Sequence, residues 1–192
     1  MLKEIKSAST LILAAGESSR MGVPKPFLKF DKQHLFIDKI INEYLDFGCN
    51  EIVVVTNKNL EKDYFSKDKV KIVINEHLEY GRFYSVKIGV KELSNEFCFI
   101  QNIDNPFVCQ DILNLLFIEK NNADYLVPEF EHIGGHPVLI GKNIIDGLKI
   151  ELNNDLNFRD FLKSFDCKRI ECYDKNILIN INTPEDYKEY FS

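Results

Sequence analysis

Gly16, Ser18, Ser19, Arg20, Gly22 and Lys25 follow directly on the apolar run Leu11 to Ala15, in the stretch LILAAGESSRMGVPK. Glycines let backbone N–H groups approach an anion closely, and a run of such groups makes an anion-binding concavity. Arg20 and Lys25 bring two positive charges to the same short loop. Little bulk and two cations suit a polyphosphate. Two familiar phosphate loops are excluded. The dinucleotide fingerprint G-x-G-x-x-G is absent, and Gly16 and Gly22 are too far apart for G-x-x-x-x-G-K-[ST], with Val23 where its lysine belongs.

Asp104 ends a second apolar run, FCFIQNI, and is followed by Asn105 and Pro106. Taken alone, this reads as an Asx turn. A carboxylate at a strand end also suits Mg²⁺, which takes one or two carboxylates plus phosphate oxygens and waters. Asn57 and Asn75 stand at strand ends and read, by themselves, as turn asparagines. His132 and His136 are four apart, but the intervening Ile133, Gly134 and Gly135 disfavour the helix a metal-binding pair would need. His34 and His77 carry no signal. The five cysteines are odd in number, scattered and without a C-x-x-C pair, which predicts reduced thiols rather than a disulfide frame or zinc site.

The elements that must position these residues alternate. Strands are expected at 9–15, 51–56, 69–74, 97–103, 136–140 and 177–181, with a short extended piece at 125–127. Helices are expected at 36–47, 83–93, 112–119 and 158–165. A last helix opens at Thr183 as N-cap, with Pro184 at its first position and Asp186 three residues after the cap. The alternation predicts an α/β domain with a mainly parallel sheet and helices on both faces. Ligands in such sheets sit off the carboxyl ends of the strands, where residues 16–25 lie.

A chain of 192 residues, 45 % hydrophobic, predicts one domain with a sizeable core. Twenty-four Lys and Arg against 30 Asp and Glu give a net charge of −6, which argues against a broad nucleic-acid face. The charges of residues 57–71 alternate in sign and read as solvated surface. The N-terminus carries charges where a signal peptide needs an apolar core. No apolar run approaches the ~20 residues of a membrane span. A soluble, cytoplasmic protein is expected, with no self-complementary surface marked to set its oligomeric state.

LAAGESSRMGVPK resembles the signature of the MobA-like nucleotidyltransferases, L-A-A-G-x-S-x-R-M-G-x-P-K, with every fixed position met from Leu13 to Lys25. Later segments resemble the family's in order: NEHLEYGRFYSVKIGV at 75–90, IDNPFV at 103–108, GGHPVLI at 134–140, LNFRDFL near the acceptor site at 156–162, and INTPEDY at 181–187. The resemblance implies a single nucleotidyltransferase domain over 1–192. Its fold would be a three-layer αβα sandwich of the Rossmann-like nucleotide-diphospho-sugar transferase type. It implies Mg²⁺-dependent transfer of a nucleotide from an NTP to a small phosphorylated acceptor, releasing pyrophosphate.

By the same resemblance, Leu13, Ala14, Ala15 and Gly16 contact the nucleoside. Arg20 neutralises the leaving phosphates and Lys25 reaches the α-phosphate. Asp104 binds the metal, with Asn180 at a second metal position. Asn57, Asn75 and Ser85, beside Tyr84, line the nucleotide, and His136 meets the acceptor. One departure is that Asn180 and Asn182 stand where the closing motif carries aspartates. LAAG looks like the cytidylyltransferase branch, whose guanylyl counterpart reads L-A-G-G, and so favours CTP. Molybdopterin is the best-known acceptor of the family. Alternatives are a sugar phosphate, a phosphoalcohol such as phosphocholine, or a non-catalytic nucleotide-binding relative.

Overall fold

Strand β1 (Lys6–Leu13) and strand β2 (Cys49–Asn57) pair in parallel, Leu11 against Val53 and Leu13 against Val55. This computed structural model describes residues 6–60 and 69–191; the middle of the charged stretch, 61–68, lies outside them. β2 is apolar on both parities because both of its faces are covered: Ile52 and Val54 enter one core cluster, Val53 and Val55 the other. Strand β3 (Val70–Asn75) lies outside β2, and strand β4 (Cys98–Asn102) lies on the far side of β1, both in parallel.

The first cluster is closed by helix α1 (Phe36–Phe47) and helix α3 (Gln110–Ile118). In α1 the residues Phe36, Ile37, Ile40, Ile41, Tyr44 and Phe47 are buried at helical spacing. The helix stops at Gly48, whose φ of 105° favours glycine. The second cluster is closed by helices α2 (Gly81–Val90), α4 (Lys142–Ile150) and α5 (Phe158–Leu162). α2 lies so close to β1 that a Cβ on Gly89 would collide with Leu11 Cδ1 and meet Val55 Cγ2 at 2.9 Å. Helices on both faces of one sheet make the three-layer αβα arrangement.

The sheet order is β3-β2-β1-β4-β7-β5-β6; its body, β1 to β4, is parallel as expected, and an antiparallel unit joins it beyond β4. After strand β5 (Tyr125–Phe130) the short turn at 131–132 sends the chain back antiparallel to it, first as strand β6 (Ile133–Gly134) and then as strand β7 (Val138–Ile140), and β7 also pairs antiparallel with β4. Strand β8 (Cys167–Glu171) then adds in parallel on the free side of β5.

The strand expected at 177–181 does not form. Residues Lys175–Leu178 make a 3₁₀ turn, and the carbonyls that a ladder would need are taken elsewhere. Asn105 Nδ2 lies 3.2 Å from the Asn176 and Ile177 oxygens and 2.6 Å from that of Ile179. His136 N donates to Ile177 O (3.0 Å), and Ile181 N donates to Asp104 O (2.7 Å). A Cβ on Gly135 would strike Ile177 O at 2.6 Å, so glycine alone lets the two segments meet. Asn105 is fully buried at the centre of this junction. Asn105→Ala is expected to cost about 2–3 kcal/mol, because it strips the Asn176 and Ile179 carbonyls of this donor, while Ile177 O keeps His136 N. Asn105→Asp is not expected to rescue it, since a carboxylate cannot donate. Urea denaturation of both variants measures this.

The closing helix α6 (Pro184–Phe191) starts as expected: Asp186 N donates to Thr183 Oγ1 (3.2 Å), while Asp186 Oδ2 accepts from Asn182 N (2.8 Å) and Thr183 N (2.9 Å). Those two backbone N–H groups hold the Asp186 carboxyl below its usual pKa. Among the described residues no helix is long and apolar enough to cross a membrane.

Candidate active site

From β1 the chain goes on to β2 and from β4 it goes on toward β5 and β7, in opposite directions along the strand order, and ligand crevices form at such a switch point. There Ile103 N donates to Leu13 O (3.2 Å), setting the loop after β1 beside Asp104. A cleft of about 850 Å³ opens at this place. Leu13, Ala15, Gly16, Arg20, Lys25, Asn75, Ser85 and Asp104, all sequence-predicted, line it.

Ser18 shapes the loop. It has a φ of 54°, its carbonyl accepts from Met21 N (2.9 Å) and Gly22 N (3.2 Å), and its hydroxyl accepts from Lys25 N (3.2 Å). The loop thus curls back and delivers Lys25 to the cleft. Lys25 Nζ donates to Asn182 Oδ1 at 2.8 Å and stands 3.4 Å from Asp104 Oδ2. The N-terminal cap of α6 holds the Asn182 backbone, so the sequence TPED positions the partner of Lys25. Arg20 is exposed on the cleft wall, and a Cβ at Gly16 would meet nothing within 4 Å. Protein packing therefore does not require glycine there.

Asp104 Oδ1 is buried and has no hydrogen-bond partner. Among the described residues no group of three or more His, Cys, Asp and Glu gathers that could hold a metal by itself. One carboxylate with an unspent buried oxygen fits Mg²⁺, which completes its shell with phosphate oxygens and water. Asn182 reaches this point. Asn180 does not line the cleft; it is exposed, and its Nδ2 donates to Leu178 O (3.2 Å).

The other asparagines are braces. Asn57, buried, donates to Ala15 O (2.9 Å) and accepts from Asn59 N (2.9 Å), so it supports the loop from behind. Ala14 is likewise buried, its N–H on Val55 O (2.8 Å). Asn75 donates to Ser85 Oγ (2.9 Å) and accepts from His77 N (2.8 Å), joining the end of β3 to α2 at the cleft wall. Tyr84 lines neither this cleft nor its neighbour; it packs edge-on against Tyr80 and His77.

His136 lines a neighbouring cleft of about 980 Å³. Burial, reinforced by the positive charge of Arg82 and opposed by Asp104, pushes its pKa down to about 4. The imidazole is neutral at neutral pH. Asn102 Nδ2 donates to its Nε2 (3.0 Å), which leaves the ring proton on Nδ1, a buried atom without a partner. His132 is almost fully exposed, with Nδ1 3.8 Å from Glu129 Oε1, and takes no part in a metal pair with His136. Arg82 and Asn102 were not singled out from sequence, Ser18 was read only as a member of the loop, and Asn182 only as a departure from the closing motif. Ser18 and Arg82 do stand inside the two motif segments, which is the signal that could have found them.

Residues 10–170 match the MobA-like NTP transferase domain. The chain is 32% identical over 180 residues to the molybdenum cofactor cytidylyltransferase of Escherichia coli K12, covering 92% of each. It is also 32% identical over 200 residues to a probable molybdenum cofactor guanylyltransferase of Natranaerobius thermophilus, covering 95% of this chain and 94% of that one. Among solved structures, Rv0371c from Mycobacterium tuberculosis H37Rv superposes with a TM-score of 0.83 at 16% identity over 98% of both chains. The structure of that protein in complex with manganese superposes with a TM-score of 0.79 at 14% identity, over 97% of this chain and 98% of that one. At such identities the structural likeness is one of fold.

Proposed function

We propose that this chain, which belongs to the MobA-like NTP transferase family of nucleotidyltransferases, moves a nucleoside monophosphate from an NTP to a small phosphorylated acceptor. The observation that carries the reading is the meeting of Lys25, Asp104 and Asn182 at the mouth of a loop without bulk. An oxygen of the acceptor phosphate attacks the α-phosphorus, the bond to the β-phosphate breaks, and pyrophosphate leaves with the electron pair. A phosphate nucleophile is already deprotonated, so the work is positioning and charge neutralisation.

Leu13, Ala15 and Gly16 form the floor for the nucleoside, with Asn57 fixing the loop beneath and Asn75 and Ser85 forming the wall. Arg20 meets the leaving phosphates, and Lys25 the α-phosphate. Asp104 would hold Mg²⁺, and Asn182 rather than Asn180 is placed to assist it. A bound divalent ion would add positive charge where negative charge grows in the transition state. His136 offers a neutral N–H donor toward the acceptor.

The LAAG loop and the Escherichia coli relative support CTP and molybdopterin as the pair to try first. The equal identity to a guanylyltransferase makes GTP the second nucleotide. The test is pyrophosphate release with each of the four NTPs and Mg²⁺, with and without molybdopterin and a panel of phosphorylated small molecules. Acceptor-dependent release with one NTP is expected. Nucleotide binding without release under any pairing would favour a binding-only protein.

Gly16 offers a separate check. Gly16→Ala is expected to leave stability within about 0.5 kcal/mol, since its Cβ meets no protein atom. It is expected to raise the KM for NTP by about tenfold, because the methyl would occupy the space of the nucleotide. Thermal melts and initial-rate kinetics read the two effects separately.

A further inference from the structure

The two clefts meet at Glu79, Gly81 and Arg82, which line both. Beyond this junction the second cleft has an aromatic wall, including Phe83, Tyr125 and Phe158, and three arginines, Arg82, Arg159 and Arg169. Arg169 is engaged: its guanidinium donates to Glu129 Oε2 (2.7 Å) and to His132 O (3.2 Å). Arg82 and Arg159 are not. Among the described residues neither guanidinium has a carboxylate partner. The acids of this cleft, Glu79 and Asp155, do not supply one; Glu79 is turned to His77 Nδ1 (3.0 Å).

The two free cations are near enough to repel each other, while Asp104 attracts Arg82 across the junction. Arg82 Cζ lies 5.7 Å from the Phe158 ring, and Arg159 is the next residue along α5. Keeping two like charges together with only Asp104 across the junction to offset them is unfavourable in the free protein, and a bound anion would outweigh that repulsion. The planar fork of a guanidinium matches a pair of phosphate oxygens. The partnerless Nδ1–H of His136 is in the same cleft.

We propose that Arg82 and Arg159 form a seat for a phosphate monoester dianion at the junction of the two clefts. The seat holds the acceptor's phosphate beside Asp104 while its organic body lies along the aromatic wall. The identification of the anion as the acceptor's phosphate rests on the nucleotidyl-transfer reading. The seat lowers the repulsion between a dianionic nucleophile and an NTP. It favours phosphomonoesters over plain alcohols, and those with an apolar or aromatic body over phosphate alone.

The test is calorimetric titration of phenyl phosphate into the full chain, with Mg²⁺ and a non-hydrolysable NTP analogue present. Wild type is expected to bind phenyl phosphate and to ignore phenol. Arg82→Gln and Arg159→Gln are each expected to weaken binding by about tenfold or more, with partial recovery in the lysine variants. Neither guanidinium holds a carboxylate among the described residues, and circular dichroism checks that the variants keep the fold. Absence of phenyl phosphate binding in wild type, or equal binding in the double glutamine variant, overturns the seat. If the NTP analogue still binds in that case, the nucleotidyl-transfer reading stands without it. Conversely, arginine-dependent phenyl phosphate binding by a chain that binds no NTP analogue supports the seat and removes the nucleotidyl-transfer reading.

Discussion

Asp104→Ala is expected to abolish turnover while the protein stays folded. The side chain has one buried oxygen without a partner, and the other lies 3.4 Å from Lys25. The contact that matters for the fold, Ile181 N on Asp104 O, is made by the backbone and survives the substitution. What disappears is the negative charge that would hold the metal. A loss of about 10³ or more in kcat is the expected scale for removing such a group, together with loss of Mn²⁺ binding followed by electron paramagnetic resonance. Asp104→Asn keeps the shape and is expected to fail equally, which separates charge from packing. Wild-type activity in either variant would sink the assignment.

Lys25→Ala has the next largest expected effect, a fall of about 10²–10³ in kcat. Lys25 is the point where three separate stretches of chain meet: the loop after β1, the end of β4 and the entry to α6. Its ammonium ties Asn182 and approaches Asp104 before any phosphate arrives. Removing it leaves Asn182 without its donor and, on the proposed reaction, takes away the cation for the α-phosphate. Lys25→Arg is expected to recover little, because a planar fork cannot replace a compact point charge between two fixed oxygens. Arg20→Ala is expected to lower turnover by about 10² as well, but Arg20 makes no comparable internal contact, so its loss should leave the melting temperature unchanged. If neither variant slows the reaction, the loop is only a turn.

The part of the fold that positions these groups was legible because it obeys simple periods. β2 reads as buried on both faces, α1 buries a stripe at helical spacing, and Gly48 and Thr183 mark a stop and a start. The loop was legible because thirteen consecutive residues carry one pattern. The half of the sheet beyond β4 was harder. β8 is mostly exposed and lacks alternation, and α4 carries Gly147 against Phe161 at its centre. ILINI looks like a strand, yet Asn105 takes its carbonyls, a long-range contact no local pattern encodes.

The site was missed for the same reason wherever its partners are distant in sequence. Asn182 reaches Lys25 across 157 positions, and Asn102 reaches His136 across 34. Asn180 and Asn182 are equivalent in composition; only the cap formed by Asp186 decides which of them faces the cleft. Arg82 gains its interest from standing between two cavities, which is a property of the folded surface.

The most direct test of nucleotidyl transfer uses the same NTP labelled at the α- or the γ-phosphorus, with Mg²⁺ and the acceptor identified by pyrophosphate release. The α-label is expected to move to the acceptor while the γ-label appears only in pyrophosphate, and neither is expected with Asp104→Ala. Transfer of the γ-label to the acceptor, or its release as inorganic phosphate, would contradict nucleotidyl transfer.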